Sequence, residues 1–205
     1  MPPRKPATPA SRRTQTERKQ DAEQRLLDSA IELIGKKGVN GMTLSEVGEM
    51  AGYSRGLVSH HYGSREAFLR VVARSLRQRF IDAEQQTHHE PGLDALIANV
   101  ELYLLGTEPT SRAVNVMLTE AIVGGGSLLE DMRVFTAMSR KYFANQIRFG
   151  MERGEVRKDI DPDAQAAMIL GMLRGVASQA LLDEKVQKNK MRSEIVATIR
   201  RMLEA

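Results

Sequence analysis

The sequence has no cysteine and no tryptophan, and aromatic residues make up only 4% of its 205 positions. Without cysteine there is no structural disulfide, no thiolate zinc site and no cysteine nucleophile, and such a chain fits a reducing cytoplasm. Long uncharged apolar runs are also missing: none approaches the roughly 20 residues that span a bilayer. Met1-Pro-Pro-Arg-Lys-Pro offers no apolar stretch for a signal peptide. The expectation is a cytoplasmic protein with no membrane partner. Apolar residues at 41% and charged residues at 27% are ordinary for a globular chain, long enough for one or two domains with a proper core.

Net positive charge is absent from two thirds of the chain and concentrated in the rest. Residues 1–70 hold 12 Lys and Arg against 8 Asp and Glu, whereas residues 71–205 hold 18 of each. A local basic excess attracts a polyanion, either nucleic acid or an anionic surface. Four of the seven prolines lie within residues 1–14, among Ala, Thr, Ser and basic residues. That mixture cannot bury enough apolar surface to offset its ordering entropy, so it reads as a disordered basic arm.

Beyond the arm nearly every segment repeats its apolar residues at helical spacing, and no alternating strand pattern is found. The fold class expected is all-α, with about nine helices. The first runs from about Arg18 through Leu26, Leu27, Ile31 and Ile34 to a stop at Gly38. Thr43-Leu-Ser-Glu46 has the form of a capping box and opens a short helix that ends at Gly52. Ser54 then caps a second short helix, Arg55 to about His61. Two short helices joined by a Gly-containing turn make a helix-turn-helix. Further helices are expected at 65–86, 92–105, 109–123, 127–153, 162–182 and 186–204, divided by Gly and Pro signals.

The stretch Leu26-Leu-Asp-Ser-Ala-Ile-Glu-Leu-Ile, Gly38, Thr43-Leu-Ser-Glu-Val-Gly-Glu-Met-Ala-Gly52, Tyr53-Ser-Arg-Gly-Leu-Val-Ser-His-His-Tyr62 and Gly63-Ser-Arg-Glu-Ala-Phe-Leu69 resembles the DNA-binding domain of the TetR family of transcriptional regulators. Gly150 to Leu182 also resembles the end of the seventh and the whole eighth helix of that family. After the disordered arm over 1–14, the resemblance implies a three-helix helix-turn-helix domain over 15–63 and a helical ligand-binding and dimerisation domain over 64–205. It places Ser54, Arg55, Gly56, Leu57, Ser59, His60, His61 and Tyr62 on or beside the DNA-reading surface, with Thr43 and Arg65 on phosphates. Arg55 and His60 suit a guanine edge, and Leu57 either touches a thymine methyl or packs. Val58 points inward. An aromatic is common in the family at the Ser59 position and a small hydroxyl residue at Leu57, and here the two are displaced. Arg12 and Arg13 either follow DNA as a flexible arm or serve solubility only.

Helix 162–182 is apolar or small all round, with Arg174 as its only charge after Ala164. Such a helix must be buried on several sides: one toward its own core, another toward a second subunit, with Ala167, Gly171 and Gly175 allowing close approach. The resemblance implies a four-helix homodimer interface from the last two helices, which brings in Ile195 and Ile199. Arg174 needs either a salt-bridge partner or a ligand carboxylate. Tyr103, Met117, Glu120, Met138, Tyr142 and Phe143 suit either a small-molecule pocket or an ordinary core.

His60-His61 and His88-His89 cannot each chelate one ion from adjacent helical positions, and Gly124-Gly-Gly126 lacks a phosphate-loop pattern. No catalytic group, metal or cofactor is expected. The expected function is a homodimeric DNA-binding regulator, a repressor released from a two-fold symmetric operator by an unidentified small-molecule effector. The rival is a helical enzyme or binding module that keeps a helix-turn-helix shape without operator binding.

Overall fold

A computed structural model describes residues 14–86, 89–105, 109–183 and 188–205. Among these residues lie nine helices: α1 (Gln15–Gly41), α2 (Leu44–Met50), α3 (Leu57–Tyr62), α4 (Arg65–Gln86), α5 (Leu93–Leu105), α6 (Thr110–Gly124), α7 (Gly126–Glu152), α8 (Pro162–Leu182) and α9 (Lys188–Leu203). No strand is found among them, only an isolated antiparallel bridge between Val156 and Glu204. Arg12, Arg13 and His88 fall outside the described residues.

Helix starts follow local chemistry. Thr14 caps α1 reciprocally with Glu17, so the helix begins slightly earlier than the apolar pattern alone indicates. Asp161 accepts from the amides of Asp163 and Ala164 at the start of α8, with Pro162 in the first turn. The start of α3 differs from expectation. The Ser54 carbonyl accepts the Leu57 amide at 3.0 Å, so residues 54–57 form a turn. Gly56 is then the N-cap, without a side-chain cap bond.

Two hydrophobic cores are built. The first joins Ile31 and Ile34 of α1, Val47, Val58, Phe68 and Val72 to Met117 and Ala121 of α6 and to Met132 and Phe135 of α7. The second gathers Leu96, Phe143, Ile147, Ile169, Leu173 and Ile199 from α5, α7, α8 and α9. Because α7 contributes to both cores, a shift along it is felt on both sides; packed interiors deform little. The first core also crosses residue 63, where the sequence suggests a domain boundary.

Helix α8 is long and apolar enough to cross a bilayer on length and composition, yet only 28% of its most apolar window is buried in the subunit. Ala166, Ile169, Leu170 and Leu173 face the second core. The opposite stripe of Ala167, Met168, Gly171, Gly175 and Leu182 is exposed, with Leu182 at 88%. Ile195 and Ile199 correct the expectation of an interface role. They are 6% and 0% exposed, pointing into their own subunit's core, and leave almost nothing to bury against a partner.

Candidate nucleic-acid interface and effector cavities

The α2–α3 unit rests on a few local devices. Thr43 Oγ1 accepts the Glu46 amide at 3.2 Å and Glu46 Oε2 accepts the Thr43 amide at 3.3 Å, closing the expected capping box. Gly48 is a requirement that the sequence pattern does not single out. A Cβ there would lie 2.7 Å from the Ser54 carbonyl oxygen, so only glycine lets the turn close onto α2. The Gly48 carbonyl accepts the Tyr53 amide at 2.8 Å from the same turn. Val47 and Val58 are wholly buried beneath the pair. With that side fixed, Ser54, Arg55, Gly56, Ser59, His60 and His61 are left exposed together on the opposite side.

The remaining DNA-contact expectations divide. Leu57 is half-buried. Arg55 Nε donates to Glu49 Oε1 across the turn, an exposed pair that holds the guanidinium before any DNA arrives. Sequence spacing gives no sign of Glu49, because the pair spans a turn and not one helical face. Thr43 is exposed, but its hydroxyl serves the cap, donating to Glu46 Oε2 at 3.0 Å as well. Lys37 Nζ lies 2.6 Å from Glu46, and with Thr43 it holds that carboxyl below its ordinary value. Arg65, expected on a phosphate, is engaged inside the subunit: Nη2 donates to the Val39 carbonyl and Nε to that of Met42 at 3.3 Å. It ties α4 to the end of α1. Tyr62 is likewise turned inward, its ring 4.7 Å from that of Phe68 and its hydroxyl buried without a partner. Burial raises the Tyr62 pKa, with Glu23 acting in the same sense.

Two cavities lie further along the chain, of about 290 and 30 Å³. Tyr103 and Ser111 line both. The larger has Leu76, Phe80, Leu102, Val114 and Phe135 in its wall, and the smaller Arg112 and Asn115. A third hollow brings Met138 and Tyr142 together beside Phe80. Three pocket expectations are corrected. Met117 and Phe143 are wholly buried core residues, and Glu120 lines none of these cavities. Arg174 finds no carboxylate among the described residues: Nη2 donates to Thr136 Oγ1 at 2.8 Å and Nε is buried without a partner. Burial pulls its pKa down, Tyr103 opposes this, and nearby Arg140 adds to it.

Glu120 instead joins α6 to α1. Its Oε1 accepts the Val39 amide at 2.8 Å and its Oε2 the Asn40 amide at 3.2 Å. Gly38 turns the backbone there at φ +80°, and a Cβ on it would meet Glu120 Oε1 at 2.6 Å. Earlier along α6, Arg112 Nε donates to the Gly35 carbonyl at 2.5 Å. A residue lining the smaller cavity thus holds the helix that leads into the helix-turn-helix.

Residues 26–72 match the family described as bacterial regulatory proteins, tetR family. The chain is similar to the HTH-type transcriptional regulator BetI of Rhizobium meliloti, 39% identical over 57 residues that span 28% of each chain. It is also similar to the HTH-type transcriptional regulator SrpR of Pseudomonas putida, 20% identical over 82% of this chain and 79% of that one. A transcriptional regulator of Saccharomonospora viridis, solved in complex with choline, shares the fold with a TM-score of 0.80. It is 20% identical, over 91% of this chain and 99% of that one.

Proposed function

The chain is a DNA-binding transcriptional regulator of the TetR family, and on that premise we propose that it acts in the cytoplasm as a homodimeric repressor, released from a two-fold symmetric operator by a small-molecule effector. The observation that carries this is the outward side of α3. Ser59, His60 and His61 are exposed on a helix whose Val58 is wholly buried, with Arg55 and Gly56 exposed just before it. A short helix fixed on one side and polar on the other suits the major groove, where Arg pairs with guanine and Ser with phosphate or a base edge.

The exposed stripe of α8 supports the dimer. A Cβ added at Gly171 or at Gly175 would meet nothing within 4 Å in the single subunit, so a partner helix can approach closely there. Two recognition helices in such a dimer must sit about one DNA turn, roughly 34–36 Å, apart or a multiple of that. An effector that favours another spacing lowers operator affinity by its differential affinity for the two states. The cavities at Tyr103 and the Arg112 and Glu120 bonds to α1 provide the site and the route. The choline in the Saccharomonospora viridis protein is a precedent for a small ligand in this fold.

Gel-shift titration of the full chain against random duplex and against fragments selected from genomic DNA, each at low and high salt, tests the proposal. A selected fragment should bind far more tightly than random duplex at high salt, where phosphate contacts weaken. Equal affinity for both would remove operator recognition.

A further inference from the structure

What lines a cavity limits what it can hold. The two cavities share Tyr103 in their walls: the larger is apolar, with Leu76, Phe80 and Phe135, and the smaller mixes Leu104 and Val176 with Arg112 and Asn115. Among their described lining residues are two guanidinium groups, Arg79 and Arg112, and no carboxylate. Arg79 is paired with Asp28. Among the described residues Arg112 uses only Nε, on Gly35.

Unpartnered polar atoms cluster at the same place. The Tyr103 hydroxyl is buried without a hydrogen bond of regular geometry, with Arg174 and Asn115 its polar neighbours. Asn99, fully buried one helical turn earlier on the same side of α5, has neither its amide nitrogen nor its oxygen bonded. Arg174 does not line either cavity but acts on the Tyr103 hydroxyl, and its Nε is also buried and unbonded. Buried polar groups left in this condition are rare. A phenol and a guanidinium are donors that call for an acceptor, and Arg140 beside Arg174 adds a second positive charge with no ion-pair partner among the described residues.

We propose that the effector is an apolar-bodied organic anion, its chain in the larger cavity and its carboxylate received at the Tyr103 hydroxyl with Arg174 supplying the charge. This rests on the effector-responsive reading given above and names the ligand class for it. A quaternary ammonium finds no counter-charge among the described residues of this site.

The test uses the full chain, isothermal calorimetry and three ten-carbon probes below their micelle concentrations: decanoate, decan-1-ol and decyltrimethylammonium. Decanoate should bind about tenfold or more tightly than the alcohol, the advantage of one charge-assisted hydrogen-bonded pair, and the ammonium more weakly than either. R174Q should abolish the preference for decanoate, weakening decanoate far more than the alcohol, and R174K should restore part of it. Far-ultraviolet circular dichroism and melting of each variant establish that it folds. Equal binding of decanoate and alcohol, tighter binding of the ammonium, binding of none, or an R174Q protein that keeps the preference would each overturn the proposal. A parallel anisotropy measurement on a selected DNA fragment separates the two readings. If the ammonium or the alcohol binds at least as tightly as decanoate and releases DNA, the anion class fails while effector control stands. If decanoate binds with the predicted preference but leaves DNA affinity unchanged, the anion site stands and effector control fails.

Discussion

Glu120 of α6 accepts the backbone amide of Val39 at 2.8 Å across 81 residues of sequence, and its second oxygen takes the amide of Asn40. A single carboxylate therefore closes the kinked end of α1 from the helix that also borders the smaller cavity. E120A leaves two amides without their acceptor and should lower unfolding free energy by about 1–3 kcal/mol. E120Q, which keeps one acceptor oxygen, should cost less. Urea denaturation checks both, and an unchanged midpoint for E120A would show that water replaces the carboxylate without loss.

Arg65 provides a contrast between a phosphate contact and an internal tie. Since its guanidinium donates to the carbonyls of Val39 and Met42, R65A should lower the melting temperature while leaving the slope of log affinity against log salt unchanged. A residue neutralising one phosphate would instead make that slope shallower by about 0.9. Salt titration of the folded variant decides between the two.

Arg55 is held by Glu49 before DNA binds. The pair is exposed, so it adds little to stability, about 0–1 kcal/mol. Its proposed importance lies in DNA binding. R55A should reduce specific affinity by about 1–3 kcal/mol and relax the preference at one symmetric position of the site. E49Q should raise affinity, because a negative charge beside the groove is removed and Arg55 no longer exchanges partners. Weaker binding by E49Q would mean that Glu49 itself reads a base or that the pair orients Arg55.

Burial holds the Tyr103 hydroxyl above its ordinary ionisation value, while Arg174 and Asn115 pull it back. The folded chain thus keeps the phenol proton longer than the unfolded chain. The stability this contributes is complete below about pH 10, the unfolded value, and is lost as pH rises through the folded one. Absorbance titration near 295 nm should show one fewer late-ionising tyrosine in Y103F. R174Q should move Tyr103 still higher, and no movement would place Arg174 too far away to matter.

Features ruled by neighbours in sequence were legible without a structure. The Thr43–Glu46 capping box and the Asp161-Pro162 start of α8 were found from spacing because a cap joins residues three or fewer apart. The inward side of Val58 and the apolar circumference of α8 followed from helical period. What could not be read were partners brought together by packing. Arg65 reaches Val39 across 26 residues and Glu120 reaches it across 81. Nothing local distinguishes these charged side chains from a phosphate or ligand contact. Ile195 and Ile199 failed for a related reason: periodicity shows that a helix has an apolar side, but not whether that side meets its own core or a partner.

A two-fold dimer that reads DNA through α3 makes a prediction that one selection experiment decides: duplexes drawn from a random pool by the full chain and by G175E. A Cβ at Gly175 meets nothing within 4 Å in the single subunit, so the variant should fold normally. At a two-fold contact, however, its carboxylate enters an apolar surface at a cost of several kcal/mol unless paired. The full chain should enrich an inverted repeat, and G175E, monomeric by sedimentation, should retain only weak binding to a half-site. A dimeric G175E protein that enriches the same inverted repeat would place the interface elsewhere, and enrichment of no sequence by the full chain would contradict DNA reading by α3 altogether.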